Sequence, residues 1–469
     1  MARSKFKPFT LEGVSIIDIS ARGLGVGKKD GQVVFVEKAV PGDVVDARVF
    51  RVEKKVPMAS IAHMVQPSPD RVDARCNHFG NCGGCKWQNF DYTAQLRFKE
   101  KHVRDAIERI GHLQVEDFRE IKGCERPFNY RNKVEFTFSN KRWIPAADFD
   151  QSQDEPKGGA LGYHVERFFD KIIDIDTCHL HLPIIDPIRN EIRRFTHEKG
   201  YTWHDIKLHQ GYFRNLLFRN SEATGELMLI VVVNEEDPGP VEDLFAHLDA
   251  MFPQITSMVS IHSDRWNPSI AGLEGRAWKG PLHITEQLGQ WKYRISPTSF
   301  FQTNTSQTRH LYDVVKEFVG DNCEVLYDLY CGAGSIGIYL SDLAKKVVGV
   351  EYVEAAVEDA RVNCELNGLQ HLEFFAGDMK QVLTPEFAAQ NGKPNVVVTD
   401  PPRAGMDEAV VRRLLELEAG RIVYVSCNPS TQARDMALLS EKYDLVAVQP
   451  VDMFPHTTHV ENVALLVRK

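Results

Sequence analysis

Two residues near the end of this chain have the type and setting that covalent acid–base chemistry requires. Cys427 stands in Ser-Cys-Asn-Pro-Ser-Thr, directly after the β-rich run Ile422–Ser426. A cysteine at a strand end, before Asn-Pro, belongs to a loop and not to an apolar strand interior, and there a thiolate can act as a nucleophile. A helix expected from about Ser430 would lower the thiol pKa through its N-terminal dipole. The competing reading is a buried structural cysteine, the commoner fate of a lone thiol. Glu461, in Pro-His-Thr-Thr-His-Val-Glu-Asn, offers the carboxylate that such a reaction needs as general base. On residue chemistry alone it could equally be a surface acid.

A second group is a glycine loop. Asp328-Leu-Tyr-Cys-Gly-Ala-Gly-Ser-Ile-Gly satisfies G-x-G-x-x-G, and Glu351 lies 19 residues after Gly332. Glycines there permit a tight turn and close backbone approach, and an acid after the second strand can hold ribose hydroxyls. NAD and S-adenosylmethionine both carry that ribose, so an NAD-dependent oxidoreductase and a methyltransferase are both open. Three features favour S-adenosylmethionine. Asp328 precedes the first glycine by four residues. Asp378, in Gly-Asp-Met, follows the third strand, where such enzymes contact adenine. Asp400-Pro-Pro-Arg follows the fourth, where a doubly wound sheet delivers residues to its ligand. The fourth residue of that motif is Arg403, not the aromatic that follows Asn-Pro-Pro in enzymes methylating exocyclic amines. A cysteine one strand later directs the chemistry to carbon instead. A thiolate adding to carbon 6 of uracil turns carbons 4 and 5 into an enolate that attacks a methyl sulfonium, after which a base removes the carbon-5 proton.

The third group is a set of thiols. Cys76-x5-Cys82-x2-Cys85 puts three on one glycine-containing loop, and Cys178, in Asp-Thr-Cys-His-Leu, is a candidate fourth. Four thiolates suit an iron–sulfur cluster or zinc, and spacing alone does not choose between them. Unliganded cysteines are the bland alternative. The aromatics Phe79, Trp87, Phe90 and Tyr92 around the loop could stack on bases or pack as core.

These groups need elements to hold them. Val14–Ile19, Val33–Val36 and Val44–Val52 are β-branched runs punctuated by Gly23, Gly25, Gly27, Gly31 and Gly42, which predicts a small OB-like barrel over residues 1–65. A helix is expected from about Tyr92 to Ile110. Residues 66–290 read as a mixed middle domain, with Leu227–Val233 a buried strand, Arg189–Glu198 helical and the polar stretch Ala146–Gly159 a surface loop. Over 291–469, Val325–Tyr330, Lys346–Val350, Leu372–Phe375, Val396–Thr399 and Ile422–Ser426 alternate with helical stretches such as Glu354–Asn367 and Asp407–Leu417. That alternation predicts an α/β, doubly wound, Rossmann-like domain.

At 469 residues the chain exceeds what one core serves. No apolar run approaches the roughly 20 residues of a membrane span, and Met1–Thr10 is basic and polar, without a signal peptide's apolar stretch. A cytoplasmic chain is the expectation, and nine cysteines there are not a disulfide framework. The net charge of −9 argues against a nucleic-acid partner, yet residues 1–110 carry 19 Lys and Arg against 13 Asp and Glu. A basic N-terminal part on an acidic body can still bind RNA.

Ala21-Arg-Gly-Leu-Gly-Val-Gly-Lys-Lys-Asp-Gly, then Val-Phe-Val-Glu and Val40-Pro-Gly-Asp, resembles the TRAM domain of RNA-modifying enzymes. Ser-Phe-Phe-Gln302-Thr-Asn, Asp-Leu-Tyr330-Cys-Gly, Val-Gly-Val-Glu351, Asp400-Pro-Pro-Arg-Ala-Gly, Ser-Cys427-Asn-Pro and His-Val-Glu461 together resemble the RNA (uracil-5-)-methyltransferase family, in that order and over nearly the whole chain. Some relatives have Asp-Pro-Ala-Arg and a phenylalanine for Tyr330; the second proline here keeps the aspartate and the tyrosine keeps a stacking ring. The resemblance implies that Gln302, Tyr330, Glu351 and Asp400 contact S-adenosylmethionine, that Asp400 also lies near the uracil, that Cys427 is the nucleophile and that Glu461 is the base. It further implies a [4Fe-4S] cluster on Cys76, Cys82, Cys85 and Cys178, because Cys-Gly-Gly-Cys-x-x-Gln88 and the distant Cys-x-Leu are similar to the motif of the 23S ribosomal RNA members. Zinc is the alternative. Radical enzymes with TRAM domains differ, since their Cys-x3-Cys-x2-Cys leaves one iron open. The expected substrate is 23S ribosomal RNA, with transfer RNA second, and the expected state is a monomer without an obligate protein partner. A catalytically silent RNA-binding protein with the same fold is the remaining possibility.

Overall fold

β-Branched residues alternate along the N-terminal segment, and alternation buries one face of each strand. Strands Phe9–Ile19, Gly25–Lys29, Gln32–Glu37, Val44–Glu53 and Val56–Gln66 close into a five-stranded barrel in the order first, second, third, fifth, fourth, with the fourth pairing back to the first. Val14, Ile16, Val34, Val45 and Val49 point inward as its core. The expected OB-like barrel is therefore present. The computed structural model describes residues 6–145 and 159–469. The stretch expected as a surface loop, Ala146–Gly159, lies outside the described residues except for its last glycine.

The middle of the chain forms an eight-stranded sheet. Its spatial order is Gly275–Lys279, Ser257–His262, Leu227–Val233, Phe213–Asn220, Lys133–Ser139, Ala160–His164, Ile172–Asp174 and Arg142–Trp143. Every residue of Leu227–Val233 is buried, because both faces of this sheet are covered. Leu229 and Val231 face the helices Ile185–Glu198 and Gly239–Met251. Met228, Ile230 and Val232 face the core shared with the C-terminal domain.

The C-terminal sheet contains strands Cys323–Leu329, Ala344–Glu351, Leu372–Ala376, Val396–Thr399, Arg421–Ser426, Tyr443–Val451 and Glu461–Arg468. Numbered in that order, they lie 3-2-1-4-5-7-6 across the sheet. The first five run parallel, and the seventh runs antiparallel between the fifth and sixth. An edge strand, Asp117–Phe118, pairs with the sixth. Helix Tyr92–Arg109 buries Val103 and Ile107 in the same core. Residues 92–118, grouped by sequence with the middle domain, thus pack on the C-terminal sheet, since two short apolar anchors find their buried surface there. Among the described residues no helix is long and apolar enough to cross a membrane.

Candidate active site

Strand direction decides which candidate residues meet. Leu329 pairs with Val350 on one side and Thr399 on the other, so the next residue along, Tyr330, stands between Glu351 and Asp400. Ser426 pairs with Asn462, and one further step of that antiparallel register sets Cys427 opposite Glu461. The antiparallel seventh strand begins where the parallel strands end. All five residues therefore share one edge of the sheet, where doubly wound folds place their ligands.

Two loops are stitched together beside Cys427. Asn428 caps helix Pro429–Leu439 by accepting from the Ser430 amide at 3.2 Å, and its Nδ2 donates to the Arg403 carbonyl at 3.0 Å. The Asp-Pro-Pro-Arg and Ser-Cys-Asn-Pro motifs are thereby held against each other. The expected depression of the Cys427 thiol is not found. Burial, followed by the charges of Glu461 and Asp400, pushes it up to about 11, against the smaller opposing effect of Arg403. Burial is the largest of these effects at this position. Glu461 is 4% exposed, so it is not a surface acid. Burial raises both Glu461 and Asp400 well above the usual carboxylate range, and the Asp400 charge raises Glu461 further.

The glycine loop is shaped for a ligand. Tyr330 takes φ +60°, an uncommon backbone for a side chain this large. Gly332 (φ +53°) has open space where a side chain would project, while a Cβ on Gly334 would come within 2.9 Å of Phe374. The former keeps the mouth of the loop clear and the latter lets the loop pack against Phe374 and Ala360. Glu351 accepts from the Gly332 amide at 3.1 Å and the Val353 amide at 2.9 Å. Carboxylate oxygens keep lone pairs beyond those two bonds for hydroxyl donors. Asp328 accepts from the Gly337 amide at 2.8 Å and has one carboxylate oxygen without a partner. These groups fit the ribose and amino donors of S-adenosylmethionine. Asp378 caps helix Met379–Val382 through the Lys380 amide at 3.0 Å.

Burial, then the Asp400 and Glu351 charges, raises Asp328 from an ordinary 3.8 to about 7. Its folded value exceeds its unfolded value, so the stabilisation is fully present below pH 3.8 and is lost as pH rises through 7. Between about pH 4 and 7 the melting temperature of Asp328→Asn is expected to fall less steeply than that of the wild-type protein. Equal slopes in thermal melts would show that Asp328 does not titrate this way.

Gln302 is buried on the loop between Ile295 and helix Thr305–Val319. Sequence reading missed what holds it. Asn132 Nδ2 donates to the Gln302 carbonyl and to Thr305 Oγ1, each at 2.9 Å, and the Asn132 amide donates to the Thr303 carbonyl at 2.9 Å. Arg219 donates to the carbonyls of Pro297 and Ser299. The Tyr-Arg-Asn run before a strand carries no signal that it reaches a loop 170 residues later.

Cys76, Cys82, Cys85 and Cys178 line one cavity of about 390 Å³, with Arg131 and Tyr163 on its walls. Gln88 Nε2 donates to Cys85 Sγ at 3.3 Å and the Gly84 amide to Cys82 Sγ at 3.4 Å. Burial, reinforced by the other thiols, pushes Cys82 up to about 12 and Cys85 up to about 11. Among the described residues no three His, Cys, Asp or Glu converge as ligands of a metal ion. Trp87 and Phe90 are each 1% exposed, so they pack as core and offer no surface to bases.

Comparison with known proteins agrees with this geometry. Residues 280–469 match the family model of tRNA (uracil-5-)-methyltransferases, and residues 9–61 match the TRAM domain. An uncharacterized RNA methyltransferase of Bacteroides thetaiotaomicron is 43% identical over 96% of this chain and 99% of its own length. One from Chlorobaculum tepidum is 41% identical over 97% and 96%. The crystal structure of Pyrococcus abyssi tRNA (uracil-54, C5)-methyltransferase with S-adenosyl-L-homocysteine superposes with a TM-score of 0.75 at 31% identity, covering 97% of this chain and all of that one.

Proposed function

This chain belongs to the RNA (uracil-5-)-methyltransferase family, and on that premise we propose that it methylates carbon 5 of a specific uridine in 23S ribosomal RNA through a covalent bond between Cys427 and carbon 6 of the base. The enzyme is S-adenosylmethionine-dependent, and its TRAM barrel serves RNA binding. The observation that carries the reading is the register that sets Cys427 opposite Glu461 at the edge where the glycine loop ends.

S-adenosylmethionine supplies an electrophilic methyl group when bound, held by Gln302, Tyr330, Glu351 and Asp400. The target uridine must leave its stack to reach Cys427. Burial, then the Glu461 and Asp400 charges, raises the Cys427 thiol in the free protein. Cys427 adds to carbon 6 as the thiolate, its proton passing to solvent, and the resulting enolate makes carbon 5 nucleophilic. After methyl transfer Glu461 takes the proton from carbon 5, and the electrons left behind expel the thiolate. Release of tritium from RNA labelled at carbon 5 of uracil tests this step. Stoichiometric release to water from ribosomal RNA is expected, and methyl transfer without release would exclude carbon 5. Transfer RNA is the second reading, favoured by the full-length likeness to the Pyrococcus abyssi enzyme; release confined to transfer RNA would establish it.

We also infer that Cys76, Cys82, Cys85 and Cys178 hold a [4Fe-4S] cluster. The four thiols line one cavity, and four thiolates are the ligand set of such a cluster, with zinc the alternative. Amide donors aimed at two of the sulfurs suit thiolates bound to iron. Protein purified without oxygen is expected to carry about four irons per chain, with a broad visible absorbance that Cys82→Ser removes. One zinc per chain, and no iron, would overturn the assignment.

A further inference from the structure

The loop 452–460 delivers Glu461; Lys122, Tyr130, Asn304 and Gln307 each bond its main chain, and most of the remaining holds come from one distant segment, residues 86–99. Asp452 and Lys99 have fully buried side chains, with Lys99 Nζ 2.6 Å from Asp452 Oδ1. Lys99 Nζ also donates to the Phe454 carbonyl at 2.9 Å, and the Tyr92 hydroxyl donates to Asp452 Oδ2 at 2.9 Å. One turn earlier on the same helix face, Gln95 Oε1 accepts from the His456 amide at 3.0 Å, while its Nε2 donates to the carbonyls of Trp87 and Phe90. The His456 carbonyl accepts from the amides of Lys86 at 2.9 Å and Trp87 at 3.1 Å. Its ring stacks on Phe128 at 4.3 Å.

Two features point to a positional role for this network. An ion pair shut away from water is a poor source of stability compared with apolar residues of equal size, so its presence calls for a positional role. His456 takes φ +64°, a backbone that persists only where surroundings over-determine it. The surroundings here are Gln95 and the two amides that follow Cys85.

We propose that helix Tyr92–Arg109 is a latch on the base-bearing loop, with Gln95 and Lys99 positioning residues that act through the main chain of 452–460 to hold Glu461 against the Cys427 adduct. Neither side chain touches the reacting atoms. The inference rests on the reading of Glu461 as the base, and it predicts a specific defect. When the latch is loosened, methyl transfer proceeds but proton removal stalls, so enzyme covalently bound to methylated RNA accumulates.

The test uses full-length Gln95→Leu, Lys99→Met and the double variant Lys99→Met/Asp452→Leu. The double variant replaces both charges with apolar groups, so a fold weakened by one unpaired charge does not decide the outcome. Turnover is expected to fall about 10²-fold, as for a misplaced catalytic group. Binding of S-adenosylmethionine should stay within about twofold, the covalent RNA–protein band should rise, and amide exchange over 452–460 should quicken. Glu461→Gln is the control. If it accumulates adduct and the latch variants do not, the latch is refuted and the base stands. If Glu461→Gln accumulates none, the base reading itself fails. Loss of cofactor binding together with turnover in all the latch variants would reduce their role to folding and overturn the proposal.

Discussion

Cys427→Ala is expected to lower methyl transfer by at least about 10⁴-fold, the scale on which removal of a covalent nucleophile acts. S-adenosylmethionine binding should be retained. The substitution removes one sulfur from a half-buried residue at a strand end, and the neighbouring contacts are made by other atoms. Asn428 still caps its helix and still holds the Arg403 carbonyl. The glycine loop lies on the far side of Asp400 along the sheet edge. A variant that lost cofactor binding in equilibrium dialysis would show that Cys427 shapes the fold. One that kept methyl transfer above about a hundredth of wild type would remove it from the nucleophile's role.

Glu461→Gln is expected to act on the opposite half of the cycle. The glutamine is isosteric and keeps the pairing with Val451, but it cannot accept a proton. Glu461 takes no part in the addition of the thiolate, so addition to carbon 6 is left intact. Release falls by the 10²–10⁴-fold typical of a lost general base. One methyl per enzyme molecule should transfer, and the product should migrate in denaturing gels as protein covalently bound to RNA. Full turnover without adduct would assign the proton to another group, with Asp400 the nearest candidate along the edge.

The short parallel strands were legible because each is a brief apolar, β-branched run between helical stretches, and Val396–Thr399, like Leu227–Val233 of the middle sheet, matches its expected bounds to the residue. Tyr443–Val451 and Glu461–Arg468 were not read as strands. Gln449 and Pro450 interrupt the apolar pattern of the former, and the latter mixes Glu461 and Asn462 into its start. Their pairing is also what brings Glu461 to Cys427, a relation between segments that no local pattern encodes. The misread thiol pKa has the same origin. The helix after Cys427 was visible in sequence, whereas the burial that raises the thiol, and the Glu461 and Asp400 charges that add to it, come from the packing of other strands. Cys178 joins the loop thiols across about a hundred residues, so it was a candidate by residue type and no local spacing tied it to them. Asn132, Arg219, Gln95 and Lys99 carry no motif at all, because each works on main-chain atoms of a remote loop.

The most direct measurement is methyl transfer from tritiated S-adenosylmethionine to RNA from a strain lacking this gene. Wild type and Cys427→Ala would be compared, with ribosomal and transfer RNA separated before nucleoside analysis. Label in 5-methyluridine of 23S ribosomal RNA, with wild type only, is the predicted result. Label in any other nucleoside, or label that survives the loss of Cys427, would contradict the covalent carbon-5 mechanism.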